Sequence, residues 1–288
     1  MSSGADSGEV RGGDGRPAVR PSLAALRAEY AAAGGDRDLD ALRERLAGDE
    51  RTGARALIAR IDARRLAERR ERERLAGLLA LRDALAARGV RGIAGVDEVG
   101  VGPLAGPVVA AAVVLPMQVE LAGLDDSKRV PPARRESLAR EIRACALGIG
   151  IGEVSVLEID QLGIYHAALE AMRRAVASLA RVHPVGHLLV DARTVPGIDV
   201  PQTSIIKGDA KDASIAAASI VAKVFRDAAM TRLGERHPAY GFERHMGYGT
   251  AEHVAALERH GPCPVHRRSF APVALAERRL VARSGARA

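Results

Sequence analysis

Tryptophan is absent from the 288-residue chain, and aromatic residues make up only 2% of it. The core must therefore be aliphatic, and broad stacking of bases on aromatic platforms is not to be expected. Only two cysteines occur, Cys145 and Cys263, in no redox or metal-ligand spacing. That pattern points to free thiols in a reducing compartment, not to a disulfide framework. No apolar run reaches the ~18 residues needed to span a bilayer. The N-terminus is polar and Gly-rich, without the apolar centre of a secretory signal. A cytoplasmic protein is expected.

Hydrophobic residues reach 47%, enough for a sizeable core, and the length suits one large domain or one ordinary domain with an extension. Lys and Arg number 43 against 36 Asp and Glu, a formal charge of +7. This balance fits a polyanionic partner and equally an Arg-rich surface.

Residues 1–20 are Gly, Ser and charge, and are expected to be a disordered tail. From Pro21 the pattern is helical: Leu23, Leu26 and Tyr30, then Leu39, Leu42 and Leu46, fall at helical spacing. Residues 53–88 read as one or two helices, with alternating charges on a solvated face. The expected organisation is a helical extension over 21–90 and a catalytic domain over 91–288. In the latter, strands are expected at Ile93–Val96, Val108–Leu115, Ile149–Val154, His187–Val190 and Ser204–Ile206. Helices are expected from Pro131, after a Ser155/Glu158 capping box, over Ser214–Leu233, and in two further stretches of the tail. The alternation indicates a mixed α/β sheet.

The chemistry concentrates at strand ends. In GIAGVDEVGVGPLAGPVV, Asp97 and Glu98 close an apolar strand and lead into a glycine-rich turn. Adjacent strand residues face opposite ways, so a shared site requires a bend there. Asp191 follows the apolar run HLLV, and Asp209 follows SII just before a long helix. Asp212, nearer that helix, is the better N-cap. Taken singly, each acid also reads as an ordinary turn or surface carboxylate. Together they are a set of hard oxygen ligands suited to Mg2+ or Mn2+. Two such ions roughly 3.5–4 Å apart support in-line phosphoryl displacement without a protein nucleophile.

These segments resemble the motifs of bacterial ribonuclease HII, a type 2 ribonuclease H. The likeness runs in order through the Asp97–Glu98 turn with PLAGPVVAAAVVLP, LDDSK (124–128), EID (158–160), LLVDA (188–192) and KGDAKDASIAAASIVAKVFRD (207–227). GYGTAEHVAAL (247–257) and GPCPVHRRSFAPV (261–273) complete it, so the resemblance covers about 92–275. It implies a ribonuclease H-like fold: a mixed five-stranded sheet flanked by helices, with a C-terminal helical part behind the N-terminal helical extension.

It further implies an endonuclease that hydrolyses the RNA strand of RNA–DNA hybrids and cuts 5′ to ribonucleotides embedded in duplex DNA. The products carry 5′-phosphate and 3′-hydroxyl ends, and the cellular role is ribonucleotide excision repair. The resemblance assigns Asp97, Glu98, Asp191 and Asp209 as catalytic and metal ligands for two divalent ions, Mn2+ or Mg2+. It places Tyr248 by the ribose at the RNA–DNA junction, where its ring can pack on a sugar and the 2′-hydroxyl marks RNA. Gly100, Val101 and Gly102 form the turn at the scissile phosphate, and Lys128 and Lys207 are expected phosphate contacts. A monomer is expected.

One departure stands out. The family's turn is usually Gly-Arg-Gly, whereas here Val101 removes a bidentate phosphate ligand. Arg129 and Arg193 are candidates to compensate. A catalytically impaired hybrid-binding protein of the same fold is the alternative. Gly163, where relatives often carry Asn, is a smaller departure. Lys223 reads equally as phosphate contact or solvated face, and His266, Arg267 and Arg268 as packing or phosphate contact. His245 and His253 match no zinc spacing. A dinucleotide-binding oxidoreductase is disfavoured, because the glycine spacing is wrong and Asp97 and Glu98 would repel a pyrophosphate. The HIII subtype is disfavoured by a helical segment ahead of Arg91.

Overall fold

The computed structural model describes residues 21–285; the tail expected over 1–20 lies outside the described residues. The described residues fall into two compact units, divided between Arg70 and Glu71. In the first, α1 (Leu23–Ala32), α2 (Asp36–Leu46) and the beginning of α3 (Thr52–Ala87) bury an aliphatic cluster of Leu26, Leu39, Leu42, Leu46, Leu57 and Ile61. Ser22 caps α1 by accepting from the Ala25 N–H. The segment read as one or two helices is thus a single helix. Its later residues Leu75, Leu78 and Leu79 join the core of the second unit. The sequence texture changes later, at Arg91, because texture marks where helix gives way to strand and not where the core contacts change.

The second unit is built on β1 (Ile93–Val99), β2 (Val108–Val114), β3 (Gly148–Val154), β4 (His187–Asp191) and β5 (Gln202–Ile205). The sheet order is β3-β2-β1-β4-β5, with β1–β2 and β2–β3 antiparallel, and β1–β4 and β4–β5 parallel. Every residue of β2 is buried, as a central strand covered on both faces requires. Between the strands lie α4 (Pro132–Cys145), α5 (Val156–Leu162) and α6 (Ile164–Ala180); a 3₁₀ turn (Gly208–Ala210) leads into α7 (Ala213–Arg236). The tail forms α8 (Phe242–His245), α9 (Ala251–His260) and α10 (Ala271–Gly285). The observed architecture is therefore the expected mixed five-stranded sheet flanked by helices.

Two apolar layers hold it together. On one face, α7 packs its Ala-rich side on Val109, Ala111 and Val113; on the other, α6 packs Ala168, Met172 and Ala175 on Ala110, Ala112 and Val114. Small side chains let the helices approach closely. A Cβ on Gly95 of β1 would collide with the Ser214 backbone at the start of α7. That close approach brings the N-terminus of α7, capped by Asp212, against the strand that carries Asp97. The Ser155–Glu158 capping box starts α5 as expected. Both cysteines are free thiols. Among the described residues no helix is long and apolar enough to cross a membrane.

Candidate active site at the edge of the sheet

Asp97 and Glu98 lie within β1, opposite Ala111 and Ala110 of β2, and the strand continues to Val99. The bend expected at this pair is absent. The carboxylates therefore leave opposite faces. Asp97 shares the face of Ile93, which packs with Ile215 of α7. Glu98 shares the face of Ala94 and Val96, which pack toward α6. They still reach one edge because β4 is short. Its last parallel pairing with β1 is Val96 with Val190, and it ends in Asp191. Beyond that point β1 has no neighbour on that side, so acids from both faces border the same opening.

The remaining acids are tied to this opening. Asp191 Oδ1 accepts from the Gly208 N–H at 2.7 Å, which anchors the 3₁₀ turn that carries Asp209. Asp212 accepts from the Ser214 and Ile215 N–H groups at 2.8 and 3.1 Å, so it is the helix cap and leaves Asp209 free of that duty.

The electrostatics are those of crowded acids. Asp97 is only 5% exposed. Burial first, then the Glu98 charge, with smaller contributions from Asp191 and Asp209, push its carboxyl well above the usual range; a Ser219 hydrogen bond opposes the shift. Glu98 is pushed up by burial and Asp191, against the pull of Arg193, whose guanidinium stands 3.7 Å away. Asp209 is pushed up by burial and by Asp126, with which it also shares a hydrogen bond. Lys128 Nζ lies 3.9 Å from Asp209 Oδ2 and opposes that shift.

Burial is the first cause of each shift, and neighbouring carboxylates add to it. Glu98 Oε2 is moreover buried without a hydrogen-bond partner. As placed, no three Asp, Glu, His or Cys side chains among the described residues close into a finished ligand set. The donor chemistry is nevertheless all-oxygen and acidic, which fits hard divalent cations.

The glycine-rich turn borders the same edge. Gly100 has φ +90°, a left-handed conformation that favours glycine, and a Cβ there would strike the Arg226 guanidinium. Val101 packs partly buried beneath the turn. A Cβ built on Gly102 would lie 3.7 Å from Tyr248 Cε1, so the turn and that ring are neighbours. Tyr248 is 42% exposed, which removes the reading of it as a core aromatic. Lys207 is exposed, with φ +56°, immediately before the turn of Asp209. Lys223 instead binds Asp227 at 2.5 Å with its side chain 14% exposed, so it is neither a solvated residue nor part of the acidic edge. His245, His253 and His266 are buried together, with His253 Nε2 3.0 Å from His266 Nε2, and serve packing.

Two contributors carried no sequence signal: Asp126 stands within LDDSK but lies in a loop, and Arg226 looked like one among many arginines. Arg267, read as packing or phosphate contact, is fully buried, which is a tertiary property. Arg193 rather than Arg129 is the arginine beside Glu98, while Arg129 lies 3.6 Å from Asp125 on the exposed loop.

A cleft of about 720 Å³ is lined by residues such as Arg135, Arg140, Lys223 and Asp227 and contains none of the four acids. The mixed five-stranded sheet flanked by helices is a ribonuclease H-like fold. Comparison with known proteins narrows this. The family model described as Ribonuclease HII matches residues 94–273. Ribonuclease HII of Geobacillus thermodenitrificans is 55% identical over 230 residues, covering 80% of this chain and 88% of that protein. Ribonuclease HII of Bacillus cereus is 51% identical over 225 residues, covering 78% and 86%. The crystal structure of ribonuclease H2 from Pyrococcus horikoshii superposes with TM-score 0.57 at 26% identity, covering 66% of this chain and 98% of that one. The chain belongs to the ribonuclease HII family.

Proposed function

We propose that the protein is an endonuclease that hydrolyses the RNA strand of RNA–DNA hybrids and cuts 5′ to ribonucleotides embedded in duplex DNA. The observation that carries this reading is the convergence of Asp97, Glu98, Asp191 and Asp209 on one open sheet edge, in a chain of this family. These four residues would hold two divalent ions, Mg2+ or Mn2+. Bound there, such ions supply an activated water and neutralise charge on the departing oxygen.

The protein's own groups do the rest. Lys128, exposed beside Asp209, and Lys207 neutralise phosphates and set the register of the duplex. The Gly100–Gly102 turn offers backbone N–H groups close to the scissile position. Tyr248 packs its ring on the sugar and presents a hydroxyl, and the 2′-hydroxyl it meets distinguishes RNA from DNA. The water oxygen bonds to phosphorus as the bond to the 3′-oxygen breaks, and a proton reaches that 3′-oxygen. The products carry 5′-phosphate and 3′-hydroxyl ends. The corresponding cellular work is the excision of misincorporated ribonucleotides, done by a cytoplasmic monomer.

The test is cleavage of an end-labelled RNA–DNA hybrid with Mn2+, with Mg2+ and with chelator. Metal-dependent cutting of the RNA strand alone is expected. Cutting that persists in chelator, or none under any condition, refutes the reading.

A further inference from the structure

Two arginines beneath the substrate turn are fully buried, Arg226 and Arg267, each 0% exposed. Neither has a carboxylate partner among the described residues. Their guanidinium groups instead spend their donors on main-chain carbonyls. Arg267 donates to Gly100 O (2.6 Å), Val101 O (3.1 Å), Gly106 O (3.0 Å) and Pro107 O (3.2 Å). Arg226 donates to Pro107 O (2.9 Å) and Ala105 O (3.1 Å) and to Met246 O (3.0 Å), Met246 standing two residues before Tyr248. Two cations thus link both segments that flank the acidic edge. A buried ion without a counter-ion is costly, and here burial lowers the affinity of both guanidinium groups for their protons, that of Arg267 to about 9. Packing alone would be served by an apolar side chain.

The geometry of the peptide explains what the arrangement achieves. Among the described residues every peptide bond is trans, so a carbonyl drawn to one side sends the following N–H to the other. With Gly100 O and Val101 O turned inward onto Arg267, the N–H groups of Val101 and Gly102 turn outward. Neither N–H has an internal acceptor among the described residues. Successive outward N–H groups form an anion-binding concavity, and the buried positive charge behind them strengthens it.

We propose that Arg226 and Arg267 are positioning residues: a buried cationic strut that aims the Val101 and Gly102 N–H groups, and with them Tyr248, at a phosphodiester of the nucleic acid. This rests on the reading of the turn as the substrate contact. The strut touches neither the acids nor the reacting phosphate. It acts through the turn, and the phosphate affinity left by Val101 comes from backbone donors rather than from a side-chain fork.

The experiment compares wild type, Arg267→Lys and Arg226→Lys. Each variant keeps the charge but cannot reach several carbonyls at once. The readouts are KM and kcat on a DNA duplex with a single ribonucleotide, and the rise in melting temperature with Mn2+. Arg267→Lys should raise KM about tenfold, the equivalent of one charge-assisted hydrogen bond. Its kcat should stay within about threefold and its Mn2+ response should persist. A folded Arg267→Lys with unchanged KM overturns the strut, as does a parallel loss of kcat and Mn2+ response, which is the signature of general collapse. Should the lysine variants not fold, 15N-labelled wild type decides. The Val101 and Gly102 amide signals should shift when an RNA–DNA hybrid is added in chelator, and unmoved signals overturn the proposal. Failure of the wild type to cut either hybrid or duplex refutes the functional reading itself, a result no strut variant can produce.

Discussion

The guanidinium of Arg193 stands 3.7 Å from the Glu98 carboxylate, on the face of β1 opposite Asp97. It is stacked on the Tyr165 ring at 5.1 Å, and its Nη1 is buried without a hydrogen-bond partner. If Glu98 held a divalent ion, Arg193 would be free to meet a phosphate. Arg193→Ala should therefore slow cleavage of a hybrid about tenfold, while Arg129→Ala should change it less than about twofold. Steady-state rates at one salt concentration check both. Equal effects would remove the distinction between the buried-edge arginine and the exposed one.

Asp97→Asn is expected to lower kcat by roughly a thousandfold or more, since it removes one member of a unit that acts together. The same change relieves burial of a charge among like charges. The melting temperature should therefore stay the same or rise in metal-free buffer. Calorimetry alongside the rate assay separates this from misfolding, which would lower both.

The four candidate acids stood out in the sequence because each stands in or just past an apolar run, although Asp97 and Glu98 lie inside β1 and Ile206, Lys207 and Gly208 separate Asp209 from β5. The five strands were legible from their apolar runs. How Asp97 and Glu98 share one edge was not, because it depends on β4 stopping at Asp191, a fact of register between distant segments. The N-cap role of Asp212 was readable from its place before Ala213–Arg236. The contacts of Arg226 and Arg267 with the glycine-rich turn bridge residues more than a hundred positions apart, and local pattern carries no such information.

Divalent ions should raise the melting temperature of the wild type by several degrees, because binding to the folded state alone stabilises it. Chelator should abolish the rise, and Asp191→Asn should reduce it sharply. A wild type that melts identically with millimolar Mn2+ and with chelator would contradict the four-acid assignment.

His266 is 1% exposed, and burial, with the neighbouring His253, lowers its proton affinity to about 4 from 6.5. The unfolded chain takes up this proton below the ordinary value while the folded chain does not. Stability should accordingly be lost as pH falls from about 6.5 toward 4, by on the order of 2 kcal/mol from this group. Above pH 7 it contributes no slope. Urea unfolding across this window should show a shallower decline in His266→Asn than in wild type. Equal slopes would mean that the ring is not held neutral.

On the proposed function this edge recognises a ribose and cuts beside it. The direct measurement maps the cut in a labelled DNA duplex that contains one ribonucleotide, with Mn2+ present. A single nick 5′ to that ribonucleotide, leaving 3′-hydroxyl and 5′-phosphate ends, is the predicted result. An intact duplex, bound but uncut under conditions where the protein is folded, would contradict the account and identify a hybrid-binding protein that has lost hydrolysis.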